Sequence, residues 1–197
     1  MKDYKCEEIK AAAALGDVDA VRRLLEAGAD PNGDDGLVLT YAAKSGDAAT
    51  VRLLLEVGAS PDDDNVLRDA IEYGRTDIVR ALIDAGADIE YNYNYALTHA
   101  TNHWHADIVR MLLDAGADVH DRADEPIRRA AINGNADVVR LLLEAGADVR
   151  ACVDETIIVA AGNGNTDIVR QIICEHKKLK KKSLGKNLGF FVVPGTL

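Results

Sequence analysis

One ten-residue phrase recurs along the chain and limits what it can fold into. "VRRLLEAGAD", "VRLLLEVGAS", "VRALIDAGAD", "VRMLLDAGAD" and "VRLLLEAGAD" begin at Val21, Val51, Val79, Val109 and Val139. A sixth copy, "VRQIICEHKK", begins at Val169. The spacing is 30 residues, with one step of 28. Units of this size hold too few apolar groups to offset the entropy of ordering them alone. They must stack, each burying its faces against its neighbours.

Each unit reads as two helices. In the second, Asp17, Asp47, Asn135 and Asn165 stand where a side-chain oxygen can cap the first turn. Asp19, Asp77, Asp107, Asp137 and Asp167 follow at the positive end of the helix dipole. Paired apolar positions such as Val138, Val139, Leu142 and Leu143 share one face. Gly28, Gly58, Gly86, Gly116 and Gly146 then stop the helix. The first helix is shorter and carries small pairs such as Ala12-Ala13, Ala42-Ala43 and Ala160-Ala161, which let neighbouring helices approach. A second glycine, at 16, 46, 74, 134 and 164, turns the chain into helix two.

The whole frame therefore predicts an all-α solenoid of six helix-turn-helix repeats with short connecting loops. It occupies residues 1–176, with the first and last repeats as caps. Residues 177–197, "KKLKKKSLGKNLGFFVVPGTL", form a basic and then apolar tail.

The 197 residues are 48% apolar but only 5% aromatic, so the core must be aliphatic. No run of about 18 apolar residues is present, which argues against a membrane partner or span. The charged N-terminal stretch does not resemble a secretory signal. Three scattered cysteines, Cys6, Cys152 and Cys174, suit a reducing compartment, and a cytoplasmic location is expected. "KKLKKK" also fits a loose nuclear-import pattern. The net charge is −10, and the basic tail leaves the rest of the chain more acidic still. Such a body repels nucleic acid and favours basic partners.

"AAINGNADVVRLLLEAGADV" and its sibling stretches resemble ankyrin repeats from residue 5 to about 174. "EPIRRAA" and "ETIIVAA" come nearest to the T-P-L-H-x-A phrase of that family, with Pro126 and Thr156 in its proline slot. The units are three residues short of the family's usual 33, and the deficit falls in the connecting loop. The resemblance thus implies shortened loops in place of projecting β-hairpin fingers. It also implies a non-catalytic module that binds protein on a concave face made by helix one and the loop tips.

Alignment and helical spacing assign two rows to that face. One is Ala11, Tyr41, Asp69, His99, Arg129 and Val159; the other, one turn on, is Leu15, Ser45, Tyr73, His103, Asn133 and Asn163. These slots vary in size and charge while the core slots do not. On the opposite face Arg22, Arg52, Arg80, Arg110, Arg140 and Arg170 alternate with acids four residues later and usually three earlier. That ladder reads as solvated ion pairing rather than as an anion site.

The stretch "EYNYNYALTHATNHWH", Glu90–His105, holds three of the six tyrosines, three of the five histidines and the only tryptophan. If Tyr91–Tyr95 is an extended loop, Tyr91, Tyr93 and Tyr95 point to one side, near Tyr73, His99 and His103. Interfaces favour such aromatic groups, although Tyr95 could equally pack over the next unit. Trp104 takes a glycine slot; a left-handed turn there costs about 1–2 kcal/mol, or the turn re-forms.

His99, His103 and His105 lack the further ligands of a zinc site, and His105 aligns with helix-two caps that point elsewhere. Asp62-Asp63-Asp64 lacks the spacing of a calcium loop. No motif for catalysis or a cofactor is found. The expectation is a monomer that is not an enzyme. It binds a basic or amphipathic protein through Tyr41, Asp69, Tyr73, Tyr91, Tyr93, Tyr95, His99, His103, Trp104 and Arg129. Alternatives are an acidic inhibitor or immunity protein against a cationic toxin or enzyme, and a structural spacer.

Overall fold

The computed structural model describes residues 4–61, 64–153 and 155–188; of residues 64, 91–95, 155 and 182–188 it describes the backbone alone. Twelve α-helices and one 3-10 turn are the regular elements among the described residues, and no strand occurs among them. The acidic pair Asp62-Asp63 and the apolar end Phe190–Val193 lie outside the described residues.

The chain divides into two compact units, Met1–Asp118 and Val119–Leu197. The first holds four helix pairs: α1 (Tyr4–Leu15) with α2 (Val18–Glu26), α3 (Leu37–Ser45) with α4 (Ala48–Glu56), α5 (Asp64–Glu72) with α6 (Thr76–Asp84), and α7 (Tyr91–Asn102) with α8 (Ala106–Asp114). Helix-one elements pack α1 on α3, α3 on α5 and α5 on α7; helix-two elements pack α2 on α4, α4 on α6 and α6 on α8. The second unit holds α9 (Asp121–Asn133) with α10 (Ala136–Glu144), and α11 (Glu155–Gly162) with α12 (Thr166–Leu188). There α9 packs on α11 and α10 on α12, and the 3-10 turn Val149–Cys152 lies against α9, α11 and α12.

The core follows the repeat register. Leu54, Leu82, Leu112 and Leu142 occupy one slot and are fully buried, as are Val21, Val51, Val79, Val109 and Val139 in another. Each such side chain contributes about 1.5–3 kcal/mol through apolar area removed from water. Between facing helix-one elements sit Ala42-Ala43 and Ala130-Ala131, also buried. Thr101 takes the same slot because its hydroxyl donates to the Leu97 carbonyl at 2.8 Å and so buries no unpaired group.

Caps form as the sequence predicts at three sites. Asp17 accepts from the Ala20 amide at 2.9 Å, Asp47 from Thr50 at 2.8 Å and Asn135 from Val138 at 3.0 Å. Asn165 differs: its amide donates to the Ala131 and Ile132 carbonyls of the preceding pair. Gly28 shows how helix two stops. Its φ is +85°, and the next amide, Ala29, donates back to Leu24. Only glycine holds that conformation without a steric cost.

Two of the shortened connections pass through left-handed turns. Asp34, Asp35 and Gly36 have φ of 58°, 57° and 83°, and Arg122, Ala123 and Asp124, at the same repeat register, have 47°, 57° and 62°. The right-handed part of α9 therefore starts at Glu125. Polar side chains tie successive connections together. Asn32 donates to the Gly58 carbonyl at 2.9 Å and accepts from the Ser60 amide at 2.8 Å. In the second unit Asp124 accepts from the Asp148 amide at 2.9 Å.

Three expectations are corrected. Helix one is not the shorter element: α1 and α7 each run 12 residues against 9 in α2 and α8. Tyr91–Tyr95 lies in the first turns of α7 rather than in an extended loop, so alternation along a strand does not apply to it. The arginine ladder pairs only at Arg140 with Asp137 and Arg170 with Asp167, three residues earlier in each case, among the described residues. The acids four residues later stay solvated, because exposed pairs gain little from closing.

Candidate functional site: the helix-one face of the first unit

The first unit brings Tyr41 of α3, Asp69 of α5 and His99 of α7 onto successive packed helices, with Tyr73 and His103 in the turns that directly follow α5 and α7. They do not lie at one depth. Tyr41 is 41% exposed, Tyr73 64% and Trp104 60%, whereas Asp69 and His99 are buried at 8% and 7%. His103 is exposed. The row Tyr41, Asp69, His99 thus departs from the open surface expected of it. A slot fixes the direction of a side chain, and the neighbouring helix then decides whether it is covered.

The buried pair forms a polar floor. Asp69 accepts from its neighbour Arg68, with Nη2 at 3.1 Å, and faces Lys44 Nζ of α3 at 3.6 Å. The His99 ring lies 4.5 Å from that of His103, centroid to centroid. Burial pulls the His99 pKa down, and the neighbouring His103 and Arg68 add to this, against Glu72 and Asp69. The folded surroundings therefore favour the neutral imidazole.

His105 joins this cluster, contrary to expectation. It is the N-cap residue of α8 but makes no side-chain cap. Its ring stacks on His103 with centroids 6.2 Å apart, and its Nε2 comes within 3.4 Å of the Glu72 carbonyl. The ring lies over Gly74, where a Cβ would meet its Cε1 at 2.6 Å. The glycine in this slot thus serves the contact between pairs as well as the turn.

Trp104 answers the alternative left open by the sequence. Its φ is +67°, inside the 64–84° spread of the glycines at 16, 46, 74, 134 and 164. The turn also keeps its hydrogen bond, His105 amide to Ala100 carbonyl at 3.2 Å. It has not re-formed. A large aromatic side chain is held in a strained conformation and left mostly in solvent, a combination concentrated at functional surfaces.

Sequence reasoning missed Lys44, Arg68 and Glu72 as members of this face. The signal lay in their adjacency to the two rows, one residue from Ser45, Asp69 and Tyr73. The side chains of Tyr91, Tyr93 and Tyr95 lie outside the described residues. Arg129 belongs to the second unit, where it is exposed and pairs with Glu125 at 2.6 Å. Among the described residues no group of three or more His, Cys, Asp or Glu side chains could hold a metal ion. Nor is any described helix long and apolar enough to cross a membrane.

Comparison with known proteins agrees with this architecture. The family described as ankyrin repeats (three copies) matches residues 9–93 and 90–153. The crystal structure of the ankyrin repeat domain of Bcl-3, described as a unique member of the IkappaB protein family, is 29% identical with a TM-score of 0.70, covering 84% of each chain. An ankyrin repeat domain from Acinetobacter baumannii, 24% identical, shares the fold with a TM-score of 0.71 over 84% of this chain and 96% of that one. Comparison with curated protein sequences gave no match. Repeats of this kind are generally protein–protein interaction modules, and the chain belongs to the ankyrin repeat family.

Proposed function

We propose that the chain is a non-catalytic module that binds a basic or amphipathic segment of another protein. The segment docks on the helix-one face of the first unit, the face that is concave in this family. The observation that carries the reading is the exposure of Tyr41, Tyr73 and Trp104 on a protein with few aromatic groups, with Trp104 held against its conformational preference. Rigid aromatic side chains give large contact area for little lost entropy, and central aromatics dominate measured interfaces.

Asp69 and His99, being buried, supply the floor beneath these anchors rather than contact area. His103 supplies an exposed polar neighbour. Tyr91, Tyr93 and Tyr95, in the first turns of α7, are further contacts of this reading by their place in the chain, and Arg129 is a separate contact on the second unit. Acidic side chains outnumber basic ones about two to one in residues 1–118, which favours encounter with a cationic segment. One copy is the binding unit.

The test is capture from native lysate with the wild-type chain and with the Tyr41→Ala, Tyr73→Ala, Trp104→Ala triple variant. The expected result is a protein retained by the first and lost by the second at unchanged helicity. Equal retention by both would leave the patch without a role and favour a spacer.

A further inference from the structure

The first pair of the first unit and the last pair of the second leave open slots that other pairs bury. In helix two, Thr50, Ile78 and Ile108 share a slot with Ala20, and Leu54, Leu82 and Leu112 share one with Leu24. All six are at most 1% exposed, while Ala20 and Leu24 are half-buried. Slots that open only in the first pair are those an internal pair turns toward its predecessor. The converse holds at the other end. Ala131 and Val139 are fully buried, whereas Ala161 is exposed and Val169 half-buried in the last pair. Those slots face a successor.

End repeats of a stacked array ordinarily carry polar outer faces. Here the first pair offers a groove between α1 and α2, lined by Ala11, Ala12, Leu15, Ala20 and Leu24 and edged by Glu8, Asp17 and Arg23. The last pair adds exposed Ile158 and Ile173 to its open face.

We propose that the occupant of each face is a second copy of this chain, joined head to tail. The outer face of the last pair of one copy meets the outer face of the first pair of the next. The complementarity is that of the repeat itself. The last pair of one copy would sit before the first pair of the next as α1 and α2 sit before α3 and α4, with Ala161 and Val169 in the slots of Ala13 and Val21 and with Ala20 and Leu24 in those of Thr50 and Leu54. Charge acts the same way. The exposed lysines at 177, 178, 180 and 181 on α12 belong to one end, and the acidic first unit belongs to the other. Glu8 stands where later pairs carry Val38, Val66, Ala96, Pro126 and Thr156. It makes one corner polar, so the contact is weaker than an internal one and depends on concentration. The contact is heterologous and does not close on itself as a two-fold dimer would, so growth is open-ended unless the rotation closes a ring. This adds association to the single binding copy and does not depend on what that copy binds.

The test is light-scattering mass against concentration for the full chain, for Leu24→Glu and for Ala161→Glu. Wild type is expected to rise steadily above one chain, and each variant to remain at one. An equimolar mixture of the variants is expected to rise to two chains and stop, since each keeps the face the other lacks. If Leu24→Glu loses helicity, Ala20→Glu replaces it at the same face. Three results would overturn the proposal: wild type at one chain at every concentration, growth that persists in either variant, or association that appears only when residues 189–197 are removed. The last would make the chain's own C-terminal segment the occupant.

Discussion

Trp104 gives the sharpest test of the backbone geometry. Replacing it with Ala or with Gly removes the same indole contacts, so the difference between the two variants isolates the backbone. At an ordinary helical position Ala is the more stable by about 0.5–1 kcal/mol. With φ at +67° the order reverses. The Cβ penalty of about 1–2 kcal/mol is offset in part by the greater freedom that Gly has when unfolded, about 0.4–1 kcal/mol. Trp104→Gly is therefore expected to exceed Trp104→Ala by about 1 kcal/mol. In a chain of this length that is a difference of about 2–4 °C in Tm.

Two glycines calibrate the scale. At Gly164, φ +81°, an added Cβ meets nothing within 4 Å, so Gly164→Ala costs the backbone strain alone. At Gly74 the Cβ would also strike the His105 ring, so Gly74→Ala costs more. Urea unfolding of the four variants reads the series. Equal or greater stability of Trp104→Ala than of Trp104→Gly would refute the left-handed turn at this position.

Three further outcomes follow from named contacts. Asn32→Ala removes both hydrogen bonds that join successive connections and is expected to cost about 1–2 kcal/mol in urea unfolding. Because burial depresses the His99 pKa in the folded state, the unfolded chain takes up the proton first. Stability is then full above about pH 6.5 and declines below it, and His99→Gln should flatten the pH dependence of the unfolding midpoint in that window. The Cys152 thiol is fully buried and pushed up to about 12 by burial, while Cys174 is exposed. Iodoacetamide at neutral pH should label Cys174 and spare Cys152 until the protein unfolds, as peptide mass mapping would show.

The fold was legible because its signal is repeated. Val21 and its five equivalents fix the register, and capping residues and glycines then set most boundaries. What escaped was set by tertiary surroundings. Arg122 and Ala123 carry no turn signature, yet they adopt the left-handed turn that Asp34 and Asp35 adopt at the same register. The repeat register puts Tyr91–Tyr95 in the connection before helix one, yet α7 begins at Tyr91. His105 aligns with capping aspartates, but an imidazole in that position lies over Gly74 instead of capping α8.

Depth was the hardest property to read. Tyr41, Asp69 and His99 share a slot, but Asp69 is buried facing Lys44 and His99 is buried against His103, while the Tyr41 ring is exposed. Exposure of the aromatic face therefore depends on what the neighbouring helices cover as much as on register.

Site-specific photo-crosslinking tests the central claim most directly, with the reactive residue placed at position 73 or at position 80. Both positions are exposed, 73 in the turn directly after α5 and 80 on α6. The binding-face account predicts that a partner protein from native lysate becomes attached at position 73 and not at position 80. Attachment at position 80 alone would contradict it and move recognition to the helix-two surface.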